Sequence, residues 1–329
     1  MPGMLPVTIT SPTSGATIDT ATVAVSGTTM GGAKVVAEAS GFLGGAAAIA
    51  STTADGSGNW SLTLPVSFGS STITVTATRG ASTGYAQVAV SSSAVPGTTV
   101  FNTMDPSGDD NGPGTYAYPT SSSFTAGSFD LLGMRVNQTD SQVFITFSFR
   151  VLVPTFGNPF GAQMLDVYVR QPGAASTSTA AAFPQRNYTI ASADAWSQRI
   201  EVQGFASPVW IDPSGNGVGS AVFVPDDGTQ TATLELPKAQ FGTVASGWTF
   251  TVALTGQDGF SPDQARGFAP TPQDFSFGVC EPGDPSPICA VDPATVPKVM
   301  DTFTPAGVDQ KTELDPTRGP VVLQGVTVP

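Results

Sequence analysis

The sequence predicts an all-β protein, and three observations carry that prediction. Glycine (37) and proline (28) are abundant while charged residues make up only 11% of the chain, a composition suited to strands joined by turns. No segment sustains a 3.6-residue apolar repeat, which argues against helices. Instead, short runs of alternating apolar and small polar residues recur, in the first part at roughly the eight-to-twelve-residue spacing of a β-sandwich.

In chain order, VTIT, ATVAVSG, AKVVAEA, NWSLTLPV, STITVTATRG and YAQVAVS read as strands between residue 7 and about residue 93. Val23 and Val25, Leu62 and Leu64, and Ile73 and Val75 alternate with Ser, Thr or Ala, so each strand has one dry and one wet face. Trp60, after the Gly-rich turn ADGSGNW, is the expected core anchor. The stretch SSSAVPGTT is small, polar and broken by Pro96, the composition of an interdomain connector. The expected domains are therefore residues 1–95 and 96–329.

The second part is again strand-rich. QVFITFSFRV puts Val143, Ile145, Phe147 and Phe149 on one face and Phe144 on the other, which implies a sheet covered on both sides. MLDVYVRQ, RIEVQGF, SAVFVPD, TATLELP with Glu235 on its outer face, WTFTVALTGQ with Trp248 in the core, and the closing VVLQGVTV follow as strands. PKAQFGTV is the one candidate helical turn. One large sandwich accounts for this length better than two small ones.

Charge and residue counts narrow the chemistry. Lys plus Arg is 12 against 25 Asp plus Glu, a net charge of −13, which repels nucleic-acid phosphates and anionic headgroups. Nucleic acid is excluded as a partner on that ground, and membrane insertion because no apolar run reaches about 18 residues. There is no histidine, which removes Ser-His-Asp triads, HExxH zinc sites and the usual haem ligand; for haem only Met134 or Met164 would remain. Cys280 and Cys289 bracket the proline-rich CEPGDPSPIC. They read as a disulfide, which suits export, with a pair of buried thiols as the plainer alternative.

The most informative segment is FNTMDPSGDDNGPGTYAYPT, Phe101 to Thr120. Asp105, Asp109 and Asp110 stand close together on a backbone bent by Pro and Gly, and Asp130 in GSFDL adds a fourth carboxylate. Hard oxygen ligands on an irregular loop suit a calcium ion, which takes six to eight of them; the spacing is not that of an EF-hand, and an acidic surface turn is the plain alternative. Asp212 in IDPSGNG and the pair Asp226 and Asp227 in VPDDGTQ read as turn residues. Tyr116, Tyr118, Phe160, Trp196 and Trp210 lie in expected loops, Tyr118 and Phe160 directly beside Pro or Gly. They are the candidates for stacking on a sugar ring.

These segments resemble a known family. DPSGDDNGPGTYAYPT, FTAGSFDL, GNPFG and DVYV, with the tail PKVMDTFTPAGVDQKTELDP and the closing VVLQGVTV, are similar to the C-terminal domain of bacterial glucodextranases, found also in some amylopullulanases. VTITSPTSGATI, VAVSG, DGSGNWSLTL and STITVTAT resemble the bacterial immunoglobulin-like domain that precedes it. The resemblance implies an immunoglobulin-like β-sandwich followed by a larger sandwich of the DOMON-like, carbohydrate-binding-module-like kind. It implies a non-catalytic, extracellular or cell-surface accessory region. Its calcium ion would sit at Asp105, Asp109 and Asp110, with Asp130 in addition. The partner would be a polysaccharide, either an α-glucan or a cell-wall glycan, and catalysis would belong to a separate upstream domain. A structural spacer or envelope-anchoring module is the alternative. The chain departs from the family at Phe160, where relatives carry Trp in an NPWG segment.

Overall fold

The computed structural model describes residues 4–41 and 48–329, and the chain divides into two units, Met1–Pro96 and Gly97–Pro329. The first unit contains β1 (Thr8–Ser11), β2 (Ala16–Ile18), β3 (Thr22–Thr28), β4 (Lys34–Gly41), β5 (Ala48–Thr53), β6 (Asn59–Pro65), β7 (Gly69–Arg79) and β8 (Ser82–Ser92). β1, β3 and β6 form one sheet; β2, β8, β7, β4 and β5, in that order, form the other. The alternation explains the sandwich. Val23 and Val25 of β3 pack in one buried cluster with Val35 and Ala37 of β4, Trp60 and Leu64 of β6, and Ile73 and Val75 of β7, while their sequence neighbours face water. The close approach of β1 depends on glycine: a Cβ on Gly27 would stand 1.9 Å from the Thr8 carbonyl oxygen and 2.5 Å from the Trp60 ring.

β2 and β5 are the two strands of this unit that sequence patterning misses. Both are sheet edges, and neither has a fully buried residue among its described positions. An edge strand with one partner and no dry face leaves little periodic signal.

The second unit contains β9 (Thr98–Met104), β10 (Leu131–Gln138), β11 (Gln142–Phe149), β12 (Gln163–Arg170), β13 (Thr189–Ile190), β14 (Gln198–Gln203), β15 (Ala206–Ile211), β16 (Val222–Asp226), β17 (Thr231–Pro237), β18 (Thr249–Gly256), β19 (Phe268–Ala269), β20 (Phe277–Gly278), β21 (Asp301–Thr302), β22 (Val322–Leu323) and β23 (Val326–Thr327). Two short helices, α1 (Lys238–Phe241) and α2 (Gln310–Glu313), accompany them. One sheet runs β16-β17-β11-β10-β9, and the other β15-β14-β12-β18-β21, with β23 also paired to β18. Val143, Ile145, Phe147 and Phe149 of β11 meet Leu165, Val167 and Val169 of β12 and Phe250, Val252 and Leu254 of β18 in the core. Each buried phenylalanine or leucine there contributes about 1.5–3 kcal/mol.

The second sheet is dry on both sides at β12, β14 and β18. Every residue of β18 is buried, because a second cluster covers its outer face: Tyr168 and Ala253 from the sheet, Tyr188, Ile190 and Trp196 from the chain after β12, and Leu314, Val321 and Leu323 near the C-terminus. The other sheet is covered in part. Glu235, expected on an outer face, is only 6% exposed and accepts a hydrogen bond from the Gln142 amide; burial pushes its carboxyl up to about 7.

Candidate metal centre and ligand groove

The segment after β9 cannot continue as a strand. DPSGDDNGPG carries two prolines and three glycines, and Gly108, Gly112 and Gly114 adopt left-handed φ. Gly112 is required, since a Cβ there would lie 2.3 Å from the Tyr116 ring. The loop is tied to the C-terminal part of the unit: Gly112 N–H donates to Met300 O at 2.9 Å, Tyr116 Oη to Pro297 O at 2.9 Å, and Gln310 Nε2 to Asp109 O at 2.7 Å.

These ties bring a distant residue into the acidic loop. Asp105, Asp109 and Asp301 each present a carboxylate oxygen, all within 4.8 Å of one another. Asp301 opens β21 and also accepts from Leu131 N–H of β10 at 2.6 Å, so it joins the two sheets. Asp105 Oδ2, Asp109 Oδ1, Asn111 Oδ1 and Asp130 Oδ1 are buried with no hydrogen-bond partner. Buried acceptors without donors are costly, the more so when charged. The electrostatics agree. Burial and the neighbouring Asp109 charge push Asp105 up to about 8; burial and the Asp105 charge raise Asp301 well above the usual carboxylate range; burial also raises Asp109. Lone pairs without donors, mutual repulsion and an all-oxygen donor set fit a hard divalent cation such as calcium, which Asp105, Asp109 and Asp301 would hold.

The four aspartates named from the sequence thus separate by role. Asp105 and Asp109 join the cluster. Asp110 instead accepts a hydrogen bond from the Tyr118 hydroxyl. Asp130 is anchored through Oδ2 by Gly108 N–H at 2.8 Å, Ser107 Oγ at 3.3 Å and Arg150 Nη1 at 3.4 Å. Asp301 was not legible in the sequence, because a lone Asp some 190 residues downstream carries no local signal. Cys280 and Cys289 are bonded to each other, so their sulfurs are not metal ligands. Asp212 and Asp226 accept hydrogen bonds from the amides of their own turns, as turn residues do.

The five aromatics expected to face a sugar do not do so. Tyr116, Phe160, Trp196 and Trp210 are buried, and Tyr118 is held between Asp110 and the rings of Phe129 and Phe277. Trp210, expected in a loop, lies within β15 opposite Ile200; the other segments fold back on the sheets, and a large ring contributes more by burying its face than by exposing it. Trp210 also donates to Gln198 Oε1 at 2.9 Å and Trp196 to Ala180 O at 2.8 Å, which satisfies their indole N–H groups in the interior. The exposed rings are elsewhere: Phe156, Phe205, Phe260 and Phe275 line one open groove of about 650 Å3.

A second polar cluster went unnoticed in the sequence. Arg186 is fully buried, pairs with Asp166 at 2.5 Å and Glu201 at 3.1 Å, and donates to Asp263 O at 2.8 Å. Tyr188 also donates to Asp166, at 2.8 Å, and Lys298 pairs with Asp263 at 2.8 Å. Burial would lower the Arg186 pKa, but Asp166, Tyr188 and Glu201 outweigh it and raise it. The available signal was a charge inside an apolar strand, Asp166 in MLDVYV. Met164, a candidate haem ligand on sequence grounds, has its sulfur against Arg186 Nη2 at 3.0 Å.

The family model described as the C-terminal, SLH-like binding module of glucodextranase matches residues 100–321. The chain belongs to that family. The glucodextranase-type module takes in both sheets of the second unit, the acidic cluster and the phenylalanine groove; the first unit lies outside the match. No curated protein matches the chain. Among solved structures, a Salmonella α2-macroglobulin mutant aligns at 12% identity and a TM-score of 0.26, over 77% of this chain and 15% of its own. Trypsin-activated Escherichia coli α2-macroglobulin aligns at 11% and 0.27, over 78% and 17%. Bacteroides uniformis β-glucuronidase 3 aligns at 9% and 0.21, over 77% and 23%. The chain therefore spans under a quarter of these structures, and likenesses this slight carry no argument. Among the described residues no helix is long and apolar enough to cross a membrane.

Proposed function

We propose that this chain is a non-catalytic, carbohydrate-binding accessory region of an extracellular glucan-degrading protein, its glucodextranase-type module braced by calcium. The observation that carries this reading is the match of a binding-module family to residues 100–321. The disulfide supports an exported protein. The groove supports binding rather than hydrolysis: Asp258 is the one carboxylate among its described lining residues, whereas glycoside hydrolysis uses two across the cleft. The acidic cluster supports a structural cation, because it lies among buried backbone ties between the sheets and not on the groove lining. Such a region would hold a polymer near a catalytic partner and raise its effective concentration there.

Titration of the full chain against dextran, pullulan, starch and a cell-wall polysaccharide tests the reading, and binding to none of them refutes it. The SLH-like character of the family favours a second reading, a spacer or envelope anchor. Retention on whole cells together with no affinity for soluble glucans would select it.

A further inference from the structure

We infer that the groove lined by Phe156, Phe205, Phe260 and Phe275 is a glycan-binding site, and that it takes a neutral polysaccharide rather than an acidic one. The inference rests on the carbohydrate-binding reading above and adds where the ligand sits and which charge class it has. The four rings are 49%, 55%, 86% and 54% exposed, and they come from four separate connections: the one after β11, the β14–β15 turn, the one after β18, and the one between β19 and β20. Convergence of apolar rings from four loops at one opening is a feature of ligand sites. The volume of about 650 Å3 lies within the roughly 300–1,000 Å3 range of ligand clefts.

The rings are positioned rather than loose. Buried Phe124 lies beneath, 6.1 Å from the Phe156 ring and 6.2 Å from the Phe275 ring, both edge-on. The Arg266 guanidinium stacks on Phe124 at 4.6 Å and donates to Phe275 O at 2.7 Å, fixing the backbone beneath that ring. Phe156 itself has φ +55, a left-handed conformation that is unusual for a bulky residue and is retained where surrounding structure imposes it. A rigid platform of this kind loses little entropy on binding.

Charge decides the class of ligand. Arg266 is the only cation among the described lining residues, and both its Nη atoms are committed, one to Phe275 O and the other to Gln257 O at 2.6 Å. Arg266 is buried, so the formal charge within reach of a ligand is Asp258. Its Oδ1 accepts from Phe260 N–H, Ser261 N–H and Ser261 Oγ at 3.0, 3.0 and 2.9 Å; its Oδ2 makes none of these bonds. A carboxylate there repels uronic acids and phosphates but accepts from sugar hydroxyls. The hydroxyls of a polyol supply donors for Oδ2. Pyranose rings can lay their apolar faces on the phenyl groups and hydrogen-bond Asp258 with their edges.

The test is affinity electrophoresis and titration of the full chain with dextran and pullulan as neutral probes and polygalacturonate as the acidic probe. The wild-type chain should bind a neutral glucan with little sensitivity to salt and bind polygalacturonate at least about tenfold more weakly. Phe260→Ala and Phe275→Ala should each weaken glucan binding about tenfold or more, and Asp258→Asn should weaken it severalfold, while Tyr85→Ala on the exposed face of the first unit leaves it unchanged. Melting temperatures measured in parallel verify that the variants are folded, as expected for exposed side chains. If the wild-type chain binds glucan and both phenylalanine variants bind it equally well, the site assignment is overturned while the carbohydrate-binding function stands. Preference for polygalacturonate overturns the ligand class alone. Absence of binding to every glycan overturns both this inference and the function on which it rests; self-association of the chain that Phe260→Ala abolishes and glucan does not overturns the site assignment alone.

Discussion

At the scale of single residues, the acidic cluster and the Arg186 network pose opposite problems and predict opposite responses. Asp105, Asp109 and Asp301 are three carboxylates with no cation among the described residues close enough to pair with them all, so removing a charge relieves the fold unless a metal is bound. Asp105→Asn should therefore raise the melting temperature in chelator and lose the increase that calcium gives the wild type; a melting temperature that falls in chelator while the calcium response persists would place the ion elsewhere. Asp109→Ala should likewise lose the calcium response. Arg186 is already paired with Asp166 and Glu201, and its removal strands them in the interior. Arg186→Met should cost about 3–5 kcal/mol, measurable by denaturant unfolding. Replacing the charges together with apolar residues of similar volume should cost much less.

Structural elements differ in how much of them the sequence reveals. β3, β7 and β11 alternate visibly because one face of each meets a core and the period of a strand is two. β2 and β5 do not, since as edges they bury almost nothing. In β12 and β18 the alternation disappears for the opposite reason, since both faces are dry, and the strands are legible only as apolar runs. The loop from Asp105 to Asp130 was legible as a bent acidic segment, but Asp301 was not, because its role arises from β21 joining β18. The segment closed by Cys280 and Cys289 belongs to the same C-terminal stretch. Replacing both with Ser should cost about 2–3 kcal/mol by the loop-closure relation, read as a lower denaturant midpoint.

For the molecule as a whole, calcium and pH should act together. A ligand bound only by the folded state at 100 times its dissociation constant adds about 2.7 kcal/mol, which for a unit of this size raises the melting temperature by roughly 5–10 °C. Asp105 near 8, Glu235 near 7 and Glu313 near 7 are all raised by burial, so without metal the folded chain holds protons that the unfolded chain releases. That stabilisation is complete below about pH 4 and is lost as pH rises through 7 and 8. Calcium needs the ionised carboxylates and binds better as pH rises. The gap between melting curves with calcium and with chelator should therefore widen from pH 5 to pH 8; a gap that narrows would show that the ion is not held by these groups.

By itself the sequence determined the strand class and the loop that bends around its aspartates, because alternation, turn chemistry and composition are local properties of the chain; the family followed from the likeness of whole segments. It also excluded histidine chemistry outright. Only the tertiary structure decided which aromatics are wet and which carboxylates meet. Those are questions of which segment folds over which sheet, and a ring next to glycine looks the same in sequence whether it turns into the core, as Phe160 does, or lines an open groove, as Phe260 does.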